Sequence, residues 1–83
     1  DGRAFVTVGT RWEGQRGCIV RVANPTCTDL DSTPELVVRG DSATGDCGYP
    51  WAVELSGGRV LVVYYYTYRD LHRGIEATLV EEV

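Results

Sequence analysis

Arg59-Val60-Leu61-Val62-Val63-Tyr64-Tyr65-Tyr66-Thr67-Tyr68 is the stretch on which the fold turns. A β-strand alternates its side chains, so Val60, Val62, Tyr64, Tyr66 and Tyr68 share one face and Leu61, Val63 and Tyr65 the other. A strand with one wet face alternates apolar with polar residues. This one is apolar on both faces, so its sheet must be covered on both sides. Residues 18–23 read the same way, with Val20 and Val22 opposing Ile19 and Ala23. Residues 75–80 are milder, setting Ile75, Ala77 and Leu79 against Glu76 and Thr78.

Outward from that strand, Gly and Pro/Asp/Ser clusters cut the chain into short runs with no sustained helical period. Strands are expected over residues 4–9, 18–23, 35–39, 51–55, 59–68 and 75–80. Loops are expected at 11–16, at the turn-rich stretch 24–34, and at the glycine-bearing stretch 40–48. Ser56-Gly57-Gly58 marks a hairpin turn. Six short strands at fairly even spacing make the chain all-β. A faint repeat runs through them: Gly2-Arg3 and Gly58-Arg59 stand 56 residues apart, and Arg16-Gly17 and Arg73-Gly74 stand 57 apart. A recurring hairpin at that spacing points to a β-propeller, whose units run roughly 40 to 50 residues. Stacked blades also give their inner strands two apolar faces. A two-sheet sandwich leaves one face of each sheet wet.

The chain has 83 residues and makes at most one domain, read as a pair of blades over about 1–40 and about 41–83. A chain of this size buries only about 60% of its unfolded surface, and small domains lean on disulfides, metals or partners. Cys18, Cys27 and Cys47 cannot all pair within one chain and lack the close Cys/His spacing of a zinc site. They read as small buried or half-buried thiols, one disulfide plus one free thiol being the other case. Oligomerisation is therefore the expected source of the missing stability. No cofactor and no metal is expected. The net charge of −4 is scattered, which argues against a nucleic-acid surface. No run reaches membrane-spanning length. Asp1 is not a natural start residue, so a cleaved, trimmed or cloned amino terminus is expected. No signal peptide is visible, which leaves the localisation open. The central proline of Asn24-Pro25-Thr26 disqualifies it as a glycosylation acceptor.

The run Asp46-Cys47-Gly48-Tyr49-Pro50, continued by Val53-Glu54-Leu55 and by residues 58–65, resembles the last repeat of sialidase-like glycoside hydrolases. These are six-bladed β-propellers of the BNR/Asp-box kind, often secreted or periplasmic. Residues 2–11 look like the matching segment of the preceding blade, and residues 35–39 like its outer strand. The resemblance thus covers nearly the whole chain, as the carboxy-terminal two blades of such a protein. It implies strands B-C-D of one blade followed by A-B-C of the next, incomplete at both ends. A longer protein or several copies would complete the ring. The expectation here is a homo-oligomer, since a homotrimer of two-blade chains gives six blades and cyclic closure removes exposed edges. One departure stands out. The Asp-box, Ser-x-Asp-x-Gly-x-Thr-Trp, should fall near residues 24–34, a segment that here holds neither Gly nor Trp.

The same resemblance implies a site. Tyr49 stands where the family's Gly-Tyr-Ser segment supplies a tyrosine nucleophile, an exception among glycosidases, although Pro50 replaces the serine. A phenol in that role needs a nearby carboxylate to take its proton. Arg11, upstream at a compatible distance, is the equivalent of one arginine of the family's carboxylate-binding triad, guanidinium being suited to bidentate carboxylate recognition. Arg39 and Arg16 are weaker versions of the same argument. Asp46 and Asp41, in the loop before Tyr49, are candidate acids, bases or substrate contacts. Trp12 and Trp51 are candidate sugar-stacking residues, Trp12 by virtue of its loop. Tyr64 to Tyr66 read as core, and His72 as an exposed loop residue with no local partner. The family's acid/base aspartate, its glutamate partner to the tyrosine and two further arginines come from earlier blades and have no counterpart here. Three readings follow: a sialidase-like subunit or fragment that binds glycan without turning it over alone, a lectin-like assembly, or a purely structural blade pair.

Overall fold

The β-branched and aromatic runs do form six strands. The computed structural model describes residues 2–81; Asp1, on which the reading of the amino terminus rests, lies outside them. Sheet 1 is an antiparallel meander of β1 (Ala4–Trp12), β2 (Gln15–Ala23) and β3 (Leu36–Arg39). Sheet 2 repeats the plan with β4 (Gly48–Leu55), β5 (Arg59–Thr67) and β6 (Arg73–Val80). Short 3₁₀ turns lie at Leu30–Ser32 and Ser56–Gly58. The repeated Gly-Arg pairs lead into β1 and β5, and the repeated Arg-Gly pairs lie in β2 and β6.

Four of the six strands run longer than the sequence pattern indicates. β1 and β2 pair as far as Trp12↔Gln15, so the expected 11–16 loop shrinks to a turn at Glu13 and Gly14. Gly14, with φ of +91°, supplies the left-handed conformation that such a tight hairpin needs. Arg11 and Trp12 therefore sit on a strand and not in a loop, which corrects the argument for Trp12. β4 likewise begins at Gly48, because the chain pairs with β5 through a one-residue bulge between Gly48 and Trp51. A bulge tolerates Pro50, which has no N–H to give the ladder.

The core lies between the sheets. Cys18 and Val20 of β2 face Val60, Val62, Tyr64 and Tyr66 of β5, with Phe5, Val22 and Val80 packed around them. The buried phenols are satisfied: Tyr66 donates to the Asp41 carbonyl at 2.8 Å, and the Tyr64 hydroxyl shares a 2.9 Å bond with that of Thr78. The sheets touch most closely at glycines. A Cβ on Gly48 would stand 3.2 Å from the Gly17 carbonyl oxygen and one on Gly9 3.6 Å from the Tyr49 nitrogen. The Thr7 hydroxyl adds a bond to the Pro50 carbonyl at 3.4 Å, so β1 lies against β4 and runs opposite to it. Cys18 and Cys47 are buried free thiols, and Cys27 is an exposed one.

Cover on both faces of β5 is only half realised within the chain. Sheet 1 buries the face of Val60, Val62, Tyr64 and Tyr66. On the other face Leu61 and Val63 stay half-buried, and their cross-strand neighbours Trp51, Val53 and Leu79 are exposed.

Candidate functional site

The bulge that opens β4 sets two positive-φ residues in succession, the second of them not a glycine. Gly48 has φ of +102°, and Tyr49 follows at +47°, a left-handed conformation that costs a non-glycine residue on the order of 1 kcal/mol. The bend turns the Tyr49 side chain over sheet 2, where its ring stacks on Tyr65 with centroids 5.6 Å apart and planes 15° apart. Arg11, two residues beyond Gly9 on β1, projects towards the same place, and its guanidinium carbon sits 5.0 Å from the centre of the Tyr49 ring. Arg11, Tyr49, Pro50 and Trp51 line a shallow open depression of about 480 Å³ floored by Gly9. Tyr49 is 66% and Trp51 79% exposed, so both rings remain available. Two aromatic surfaces beside one cation suit a ring with an apolar face and an anionic substituent.

Asp46 is close by but otherwise engaged. Its carboxylate accepts the Tyr65 hydroxyl at 2.5 Å on Oδ1 and Arg73 Nε on Oδ2. Its backbone is pinned as well, the carbonyl accepting the Thr67 hydroxyl at 2.6 Å and the N–H donating to Thr44 Oγ1 at 3.1 Å. The Tyr65 and Arg73 donors hold the Asp46 carboxyl below the usual carboxylate range. The same bond to Asp46 pushes the Tyr65 phenol above its ordinary value. Each shift opposes proton transfer from phenol to carboxylate. A nucleophilic tyrosine needs the reverse, a base strong enough to take its proton. No carboxylate in the described residues is hydrogen-bonded to Tyr49.

The sequence candidates therefore separate. Arg11, Tyr49 and Trp51 come together, while Asp46 supports Tyr65 behind them. Trp12 does not join. It follows Arg11 directly on β1, so strand alternation turns it to the opposite face of sheet 1, where it is 56% exposed. Arg39 is committed elsewhere, bonded to Asp41 at 2.7 Å and lying 4.1 Å over Tyr66. Arg16 reaches the Ala43 carbonyl at 3.4 Å. His72 is exposed, yet it has local partners: Asp70 meets its Nδ1, and Tyr68 stacks on its ring at 4.4 Å. By sequence Tyr65 reads as core, and Arg73 has no role at a site. Alternation assigned Tyr65 to the face opposite Tyr64 and Tyr66, and that face is the bare one.

A second depression, about 630 Å³, opens at the far end where the sheets splay apart around Phe5, Val22, Ala52 and Val60. It holds none of the candidate residues. Among the described residues no three His, Cys, Asp or Glu side chains converge as a metal site, and no helix is long and apolar enough to cross a membrane.

Among known proteins, no family model matches the chain. No curated protein matches it either. A solved structure does: a protein of unknown function from Dyadobacter fermentans DSM 18053, 39% identical with a TM-score of 0.90. The match covers 96% of this chain and 22% of that one, so the two-sheet unit spans about a fifth of a much longer protein.

Proposed function

We propose that the chain is a pair of blades from a sialidase-like propeller, binding an acidic glycan in the Arg11–Tyr49–Trp51 depression without cleaving it alone. The observation that carries this reading is the placement of one exposed guanidinium beside two exposed aromatic rings at the bulge. The pyranose ring lies against Trp51 and Tyr49, and its carboxylate pairs with Arg11. Binding without turnover follows from the hydrogen bonding of Asp46, which is spent on Tyr65 and Arg73 and leaves Tyr49 with no base. The blade reading draws support from two successive antiparallel meanders stacked face to face, from the repeat that links the β1–β2 and β5–β6 hairpins, and from the similar two-sheet unit within a longer chain. In propeller lettering β1–β3 are strands B-C-D and β4–β6 strands A-B-C, with a homotrimer as the arrangement that closes six blades.

The test pairs a fluorogenic sialoside turnover assay with binding to an array of sialylated and neutral glycans. The expected result is retention of sialylated glycans with no turnover, and loss of retention in Arg11→Ala and Trp51→Ala. Turnover by the wild-type chain would move the assignment to an enzyme. Silence in both assays from a folded chain would leave a structural blade pair.

A further inference from the structure

Two of the three thiols lie inside the fold and have no part in the proposed site. Cys18, on β2, and Cys47, one residue before β4, are both at 0% exposure. They stand on opposite sides of the seam where the sheets meet at glycines. A Cβ on Gly48 would lie 3.2 Å from the Gly17 carbonyl oxygen and 3.4 Å from the Gly9 Cα. Gly48 follows Cys47, Gly17 precedes Cys18, and Gly9 is the register partner of Cys18 on β1. Gly9 and Cys18 therefore share a face of sheet 1, and that face is turned to Gly48. The Cys47 side chain crosses the seam, its thiol donating at 3.6 Å to the carbonyl of Thr10, the residue after Gly9. Burial pushes the Cys18 thiol up to about 11, and the charge Cys47 would carry adds to the shift, so the sulfurs lie within electrostatic reach. Cys27 is exposed, in a turn where its N–H donates to the Asn24 carbonyl at 2.9 Å.

We propose that Cys18 and Cys47 are a disulfide-forming pair that ties the two sheets together beside the Tyr49 bulge and leaves Cys27 free. The reaction is thiol–disulfide exchange with a small-molecule disulfide such as oxidised glutathione. One sulfur–sulfur bond forms in the protein and the one in glutathione disulfide breaks. The two protons given up by Cys18 and Cys47 pass to the departing glutathione thiolates, so the protein is oxidised and glutathione reduced. A thiolate is the nucleophile, and burial suppresses it in the folded chain. The exchange therefore runs while the chain folds, before the seam closes, and the closed seam then shields the bond from reductants. The cross-link encloses β3 and the loops on either side of it, and constraining that length in the unfolded chain stabilises the fold. It also fixes the residue from which the Gly48-Tyr49 bulge starts. The inference rests neither on glycan binding nor on blade stacking.

Refolding the whole chain from a reduced, unfolded state in a buffer of reduced and oxidised glutathione tests it. The expected product is a chain two hydrogens lighter than the reduced one, in which maleimide adds to Cys27 alone and peptide mapping joins Cys18 to Cys47. Its melting midpoint should exceed that of the reduced chain by roughly 10–20 °C. Cys27 is exposed, so Cys27→Ser leaves the core intact and removes exchange through the third thiol. That variant should form the same bond and show the same shift. Folded Cys27→Ser chain recovered with both thiols free, or capped by glutathione, overturns the proposal, as does a wild-type bond that includes Cys27.

Discussion

Gly17→Ala is the substitution for which the structure gives the most definite cost. Gly17 pairs with Thr10 of β1 near the start of β2 and is buried beside the carboxy-terminal end of β3. An added Cβ would stand 2.1 Å from the Arg39 carbonyl oxygen and 2.6 Å from its carbon. Both atoms belong to the backbone, so no side-chain rotation relieves the clash, and β3 must retreat by roughly 1 Å. That retreat would stretch three contacts: Gln15 Nε2 to the Arg39 carbonyl at 2.8 Å, Arg16 N–H to the Gly40 carbonyl at 3.0 Å, and Ser42 N–H to the Arg16 carbonyl at 3.0 Å. At roughly 1 kcal/mol for each weakened bond, the loss comes to about 2–3 kcal/mol. A domain of this size has a total stability on the order of 4–12 kcal/mol. The midpoint of thermal unfolding should fall by about 10–20 °C. Gly14→Ala is the matched control: its φ is +91°, yet nothing lies within 4 Å of the added Cβ. It should cost only about 1 kcal/mol, the conformational term alone. Urea denaturation of both variants gives the comparison. If Gly17→Ala proves no more costly than Gly14→Ala, the close approach of β2 and β3 is not a constraint on the fold.

Three further outcomes follow from the side-chain chemistry. The lowered pKa of Asp46 means that its contribution to stability is present above the ordinary carboxylate value of 3.8 and is lost as pH falls through and below it; Asp46→Asn should flatten that part of a melting-temperature profile, and an unaltered acid limb would contradict the assignment. Tyr65 and Tyr68 are held neutral by Asp46 and Glu76, so in a phenolate absorbance titration two tyrosines should ionise above the ordinary value of 10, and Asp46→Asn should return one of them towards it. Cys27 should react at once with an aromatic disulfide reagent in the folded protein, whereas Cys18, its thiol pushed up to about 11 by burial, and the buried Cys47 should react only on unfolding; three equally fast thiols would mean that the inter-sheet core opens readily.

The strands were legible wherever residue period and propensity agreed. Val60 to Tyr66 announced a strand with two apolar faces, and the structure shows one of those faces packed and the other bare. The period could not say which face sheet 1 would take, because both are comparably apolar. That is why Tyr65 read as core beside Tyr64 and Tyr66, although it supports Tyr49 and bonds to Asp46. Strand ends were less legible. Glycines and charges in Arg11-Trp12-Glu13-Gly14-Gln15-Arg16 signal a loop, yet ladder pairing continues through most of them. Once Arg11 and Trp12 lie on one strand, alternation alone separates them, so the candidacy of Trp12, which rested on the misplaced loop, falls away. The bulge at Gly48-Tyr49-Pro50 left only Gly48 and Pro50 as local signals. Its consequence, a left-handed Tyr49 swung over Tyr65, depends on pairing with a strand farther along the chain.

The most direct measurement is nuclear magnetic resonance of a free sialyl oligosaccharide mixed with the chain, which reads contact and cleavage in one sample. Saturation transfer to the sialic acid ring, absent with Arg11→Ala, and an oligosaccharide still intact after prolonged incubation are the predicted result. Release of free sialic acid, or no transfer from a folded wild-type chain, would contradict the assignment of the Arg11–Tyr49–Trp51 depression as a site that binds without cleaving.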